Sequence, residues 1–215
     1  MELELILDKS VNKNQLEALA KVAENFCSTG VPSKLQNTFD STLDELIEEL
    51  GREETKSSES GLIRMICLCA QFSSTERFSA GITRVTTRGN PSNYMNLLLQ
   101  LLHSLPHSEH AKILHIYDIA RDNMAEFLHC ERKTANKVGL LFRLLLSGDQ
   151  NIANPNSDKL CSQLLELLCD HWQTHVSTSY LILCSVFDCI LKHMSQNAWS
   201  WIWGKLCEVR QLFFF

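Results

Sequence analysis

Proline and glycine are scarce in this chain, four and eight in 215 residues. So few breakers favour long regular elements, and strand-like alternation is almost absent. Long apolar runs are missing too. The densest stretch, Tyr180 to Leu191, contains Asp188 and falls short of the ~18 uninterrupted apolar residues a membrane span requires. No N-x-Ser/Thr sequon with an allowed middle residue occurs. Met1 is followed by Glu2 and Glu4 rather than by a basic stretch and an apolar run, so no secretory leader is expected. The phosphate-binding GxxxxGK[ST] loop, GxGxxG, GxSxG and HExxH are all missing. Gly204-Lys205 lacks the upstream glycine spacing and the following hydroxyl of a phosphate loop. Catalysis of a recognisable kind is therefore not expected, nor is a bound cofactor.

What is present is enough apolar material for a sizeable core. Hydrophobic residues make up 45% and charged residues 21%, outside the range of a disordered chain. Nine cysteines, an odd number, sit mostly among Leu, Ile and Phe at helical spacing, where a free thiol behaves as a small hydrophobe. That usage suits a reducing compartment, cytosol or nucleus, better than a disulfide framework.

Charge is uneven. Residues 1–60 hold thirteen acids against six bases; residues 61–150 hold ten bases against seven acids. The basic middle (Arg64, Arg77, Arg84, Arg88, Arg132, Lys133, Lys137) is too dilute for a phosphate track and reads as solvated helix faces.

Hydrophobic periodicity resolves about ten helices. Leu16, Leu19, Ala20, Ala23, Phe26 and Cys27 form one stripe over 12–27, ended by Gly30 and Pro32. Phe39, Leu43, Leu46, Ile47 and Leu50 form the next, over 41–50, with Ser41 or Thr42 as a capping-box start and Gly51 as a stop. Its opposite face is acidic: Asp44, Glu45, Glu48 and Glu49. The polar segment GREETKSSES, 51–60, reads as a linker between an N-terminal acidic helix pair (1–50) and a main body (61–215). Within that body, helices are expected over 62–72 and over 74–87, the latter capped by Ser73 with Glu76 and weakened by β-branched Thr83, Val85, Thr86 and Thr87. Asn90-Pro91 starts another, which ends at Pro106. Further helices are expected over 107–129, 132–147, 158–174 and 178–194, and from 198 onward. The 158–174 segment carries apolar residues on two faces, as a helix sandwiched between neighbours would.

Starts near 91, 132 and 177, with short loops between two-faced helices, resemble the helix pairs of armadillo- and HEAT-type proteins. The resemblance covers residues 61–215 and rests on helix length and spacing. It implies an all-α, α-solenoid-like fold of irregular stacked helix pairs that works by binding protein partners.

Two groups of residues invite a chemical reading. His171 and His175 are four apart, and His107 and His110 three apart with His103 and His115 nearby. Zinc needs three or four converging ligands. The HWQTH pair has no third ligand in sequence, and Cys67-Leu68-Cys69 on a helix points its thiols about 200° apart. These side chains therefore read as helix-face or loop residues, and no metal ligand is assigned. Trp199, Trp201 and Trp203 crowd near Phe213, Phe214 and Phe215. Such a tail fits either a solenoid lacking its polar end cap or a hydrophobic docking patch. The expectation is an intracellular scaffold or adaptor that binds protein through the three tryptophans, with Asp44, Glu45, Glu48 and Glu49 as a surface for a basic partner. The alternatives are nucleic-acid binding through the basic middle and metal binding through the histidines. Neither a small-molecule substrate nor a membrane is indicated.

Overall fold

The computed structural model describes residues 13–26, 29–51, 59–88, 91–147, 157–172, 174–193, 200, 202–204 and 207. Among them there is no strand. The helices are α1 (Lys13–Glu24), α2 (Ser33–Leu50), α3 (Glu59–Phe72), α4 (Thr75–Arg88), α5 (Pro91–Ser104), α6 (His110–Asp122), α7 (Met124–Leu128), α8 (Ala135–Ser147), α9 (Ser157–Trp172) and α10 (Val176–His193), with a 3-10 turn at Arg132–Thr134. The fold is all-α, built from packed helix pairs. No helix of the described residues is long and apolar enough to cross a membrane.

The chain divides into two compact units, Met1–Ile116 and Tyr117–Phe215. In the first, the α1 stripe of Leu16, Leu19, Ala20 and Ala23 is buried, as are Phe39, Leu43 and Ile47 of α2. Each of the leucine, isoleucine and phenylalanine side chains contributes roughly 1.5–3 kcal/mol on burial. Phe39 packs against Phe72 with ring centroids 5.1 Å apart and the rings tilted by 34°. Helices before and after the polar 51–60 stretch therefore share one core, and the composition break falls within this unit. In the second unit, Phe127 meets Phe142 edge-on at 6.4 Å, and Val138, Leu141, Leu168, Ile182, Val186 and Ile190 complete the interior.

Helix α2 runs parallel to α4. Asp40 bonds Ser74, Asp44 pairs with Arg77, and Ile47 lies against Gly81, so positions advance together along both helices. Helix α8 runs parallel to α10 in the same way: Gly139 lies against Ser185, and Arg143 pairs with Asp188 at 2.7 Å.

Several sequence-derived boundaries are corrected. Helix α2 starts at Ser33, not 41, directly after Pro32 (φ −55°, ψ 137°). Ser41 caps nothing: its hydroxyl donates to the Thr38 carbonyl inside the helix, a local bond that a mid-helix serine makes readily. The N-cap of α4 is Ser74 rather than Ser73, since the Arg77 N–H donates to the Ser74 hydroxyl at 3.3 Å. The β-branched residues do not interrupt α4, where the Thr86 and Thr87 hydroxyls donate to helix carbonyls. The long helix expected over 107–129 breaks at Asn123, whose side-chain amide donates to the Ile119 carbonyl at 2.8 Å. The segment expected as one helix from 132 begins instead with the 3-10 turn.

Candidate functional site

The residues expected to face a partner belong to different units, the acidic residues of α2 to the first and the tryptophans to the second. Of Trp199, Trp201 and Trp203, only Trp203 falls among the described residues. It is 63% exposed, next to fully buried Ile202. Trp199, Trp201 and Phe213 to Phe215 lie outside the described residues. On α2, Glu45, Glu48 and Glu49 are exposed and Asp44 half-buried. Arginines of α4 partly answer this acidic face. Arg77 reaches Asp44 at 3.4 Å, and Arg84 reaches Asp44 at 3.8 Å and Glu48 at 3.7 Å.

Other members of the basic middle are similarly engaged. Arg121 pairs with Asp118 and Asp122, and Lys133 with Glu131. Lys112 is buried. Its ammonium donates to the Ala70 carbonyl at 2.9 Å and the Ser73 carbonyl at 2.8 Å, and it meets Glu109 at 2.9 Å. Lys112 thereby donates to the Ala70 carbonyl in the last turn of α3 and to the Ser73 carbonyl just beyond its end.

The described cysteines are all free thiols. Burial pushes the Cys69 thiol up to about 12. It also raises Cys67, against a weaker opposing hydrogen bond from Ser104. Thiols so held are poor nucleophiles. His115 bonds Thr83 Oγ1 at 3.2 Å and the Ser79 carbonyl at 3.1 Å, joining α6 to α4.

One cluster of side chains converges in a way that sequence spacing did not reveal. His129, His171 and His175 place one ring nitrogen each within 4.8 Å of one another, and no other such group of three His, Cys, Asp or Glu occurs among the described residues. Three local structures bring them together. His129 follows α7, its N–H donating to the Glu126 carbonyl. His171 ends α9, one residue before Trp172. His175 lies in the turn before α10, between the helices expected over 158–174 and 178–194. Its N–H still donates to the His171 carbonyl at 2.9 Å, which keeps the two imidazoles on one side.

The His171 and His175 rings stack with centroids 4.5 Å apart and an interplanar angle of 23°, and His129 stands edge-on to both, at 5.0 and 6.3 Å. His171 is 6% exposed; its two companions are exposed. His171 Nδ1 lies 3.0 Å from the buried hydroxyl of Ser179, in the first turn of α10. Its Nε2 is buried without a hydrogen-bond partner. Burial, then the neighbouring His175 and His129, holds the His171 imidazole below its ordinary pKa, which favours the neutral ring. A neutral imidazole with one nitrogen hydrogen-bonded and the other free is the form that donates to a metal ion.

Compared with protein-family models, curated proteins and solved structures, the chain matches none.

Proposed function

We propose that this chain is an intracellular all-α scaffold of the armadillo/HEAT kind, binding another protein and carrying no catalysis of its own. One observation supports the reading above others. Alternate helices lie side by side in parallel, α2 with α4 and α8 with α10, with a single helix between them in sequence. Packing of that type buries the flanks of each helix against its neighbours and leaves outer faces open, which suits recognition of an extended partner.

Trp203 and the rim of Glu45, Glu48 and Glu49 are the surfaces proposed to meet the partner. A large exposed aromatic contributes contact area at little entropic cost. The glutamates favour a partner that is basic where it touches α2. Of the basic middle, Arg77, Arg84 and Lys133 are met by acids of this chain, and no specific observation favours nucleic acid.

The test is purification of the tagged full chain from native cell extract at physiological salt, beside a Trp203→Ala variant and a Glu45→Lys/Glu49→Lys variant. Circular dichroism checks that each variant keeps its helices. The expected result is a near-stoichiometric protein partner, lost from at least one surface variant. Recovery of the chain alone, or with material that nuclease removes, overturns the reading.

A further inference from the structure

We infer that His129, His171 and His175 form a zinc site, independent of the scaffold reading. Three observations converge on it. First, the three imidazoles gather one nitrogen each within 4.8 Å, from the end of α7, the end of α9 and the turn before α10. Second, His171 Nε2 is buried with no hydrogen-bond partner. A buried polar atom left bare is unfavourable and rare, and a bound cation supplies the missing partner. Third, His171 Nδ1 is held by the Ser179 hydroxyl. Metal-ligating histidines characteristically have the second nitrogen fixed in this way, which sets the tautomer and aims the ring.

The donor set selects the ion. Three imidazoles with no carboxylate in the group do not suit calcium or magnesium, which take oxygen ligands. Imidazole suits zinc, copper and nickel. Three ligands converging from one side leave a fourth, solvent-facing position, the pattern of a tetrahedral zinc ion with one open site. At metal–nitrogen distances of about 2.0–2.1 Å, the nitrogens must draw closer than they stand here. His129 and His175 are exposed and can rotate inward onto the fixed His171. The ion ties α7, α9 and α10 together, and water occupies its open position.

The test uses the full chain, stripped with chelator and titrated with zinc by calorimetry at neutral pH. Variants are His129→Ala and His175→Ala, whose side chains are exposed and whose loss spares the core, together with Ser179→Ala. A His103→Ala/His107→Ala/His110→Ala chain controls for scattered histidine binding. Cobalt(II) substitution reports the ligand type. The expected result is one zinc per chain, a higher melting temperature with zinc, and a tetrahedral cobalt spectrum without thiolate bands. Affinity should be unchanged in the control and weaker by ~10–100-fold in Ser179→Ala, with a larger loss in His129→Ala and His175→Ala. Chelator-stripped protein that takes up no zinc overturns the proposal. So does zinc bound equally by the His129→Ala and His175→Ala variants, or cobalt bound through thiolates.

Discussion

Gly139 on α8 lies against Ser185 on α10 so closely that a Cβ at position 139 would overlap Ser185 Cβ and stand 2.6 Å from its Oγ. The parallel packing of these two helices depends on the missing side chain. Gly139→Ala is expected to cost about 1–3 kcal/mol, the usual range for overpacking a core. Ser185→Ala should not rescue it, because the Cβ itself is in the way. Gly81 differs: there the obstacle is Ile47 Cδ1, the far end of a flexible side chain, at 2.5 Å. Gly61 has nothing within 4 Å, and Gly61→Ala should gain about 0.5 kcal/mol from reduced freedom of the unfolded chain. Denaturant melts of the three alanine variants check the order. A Gly139→Ala protein as stable as wild type would mean that α8 and α10 do not approach this closely.

Lys112 sits at a second point where removing a group should be felt. Only 2% of its side chain is exposed, and it bridges the carbonyls of Ala70 in α3 and Ser73 just after it to Glu109. Lys112→Met keeps most of the apolar stem but removes the ammonium donor from both carbonyls, leaving Ala70 with only the Ser73 hydroxyl at 3.3 Å. The expected loss is roughly 2–4 kcal/mol, little affected by added salt because the site is buried. The Arg143–Asp188 pair is the contrast. Its side chains are 50% and 56% exposed, so Arg143→Met should cost less than ~1 kcal/mol. Equal penalties for the two variants would contradict the burial of Lys112.

The two cases show what the sequence made legible. Apolar spacing marked the buried stripe of α1 and the two covered faces of α9, because burial of a helix face leaves a periodic trace. The same spacing carried no sign of Lys112, since a lysine among apolar residues looks like any solvated helix position. Nor could it reveal the histidine group. His171 and His175 were visible as a pair, but His129 joins them only because the chain breaks at Asn123 and turns again at Arg132–Thr134. At the first break a side-chain amide competes for a backbone carbonyl, a bond that periodicity does not register. Ser41 erred in the opposite direction: a capping residue by type, it spends its hydroxyl inside α2.

Thiol reactivity offers a third check. Cys184 and Cys207 are exposed, whereas Cys69 is fully buried in α3. A thiol-specific reagent applied to native protein should label Cys184 and Cys207 first and Cys69 only on unfolding, as peptide mapping would show. The raised Cys69 pKa also has a consequence for alkaline stability. The unfolded chain releases this proton near the ordinary value of 9.0, and the folded chain holds it up to about 12. Above 9.0 the unfolded state thus binds fewer protons, so stability present at neutral pH declines as pH rises from 9.0 toward about 12. Cys69→Ala should flatten that decline, whatever it costs at neutral pH. Labelling of Cys69 as fast as Cys184 in the native state would show that α3 is not buried as described.

Asp40 and Ser74 form the joint between α2 and the start of α4. Asp40 Oδ1 accepts the Ser74 N–H at 2.7 Å and Oδ2 accepts the Ser74 hydroxyl at 2.9 Å, while the Ser74 oxygen in turn accepts the Arg77 N–H. The serine is therefore aimed by the aspartate as it caps the helix. Ser74→Ala should cost about 1 kcal/mol through the lost cap. Asp40→Ala should cost a similar amount, by freeing both the Ser74 N–H and its hydroxyl. Because the two residues act through shared bonds, the double variant should be less destabilised than the two single losses combined, with a coupling of about 0.5–1.5 kcal/mol. Strict additivity in a double-mutant cycle would separate the cap from the carboxylate. It would leave the parallel register of α2 and α4 to Ile47 against Gly81 and to the outer arginine pairs alone.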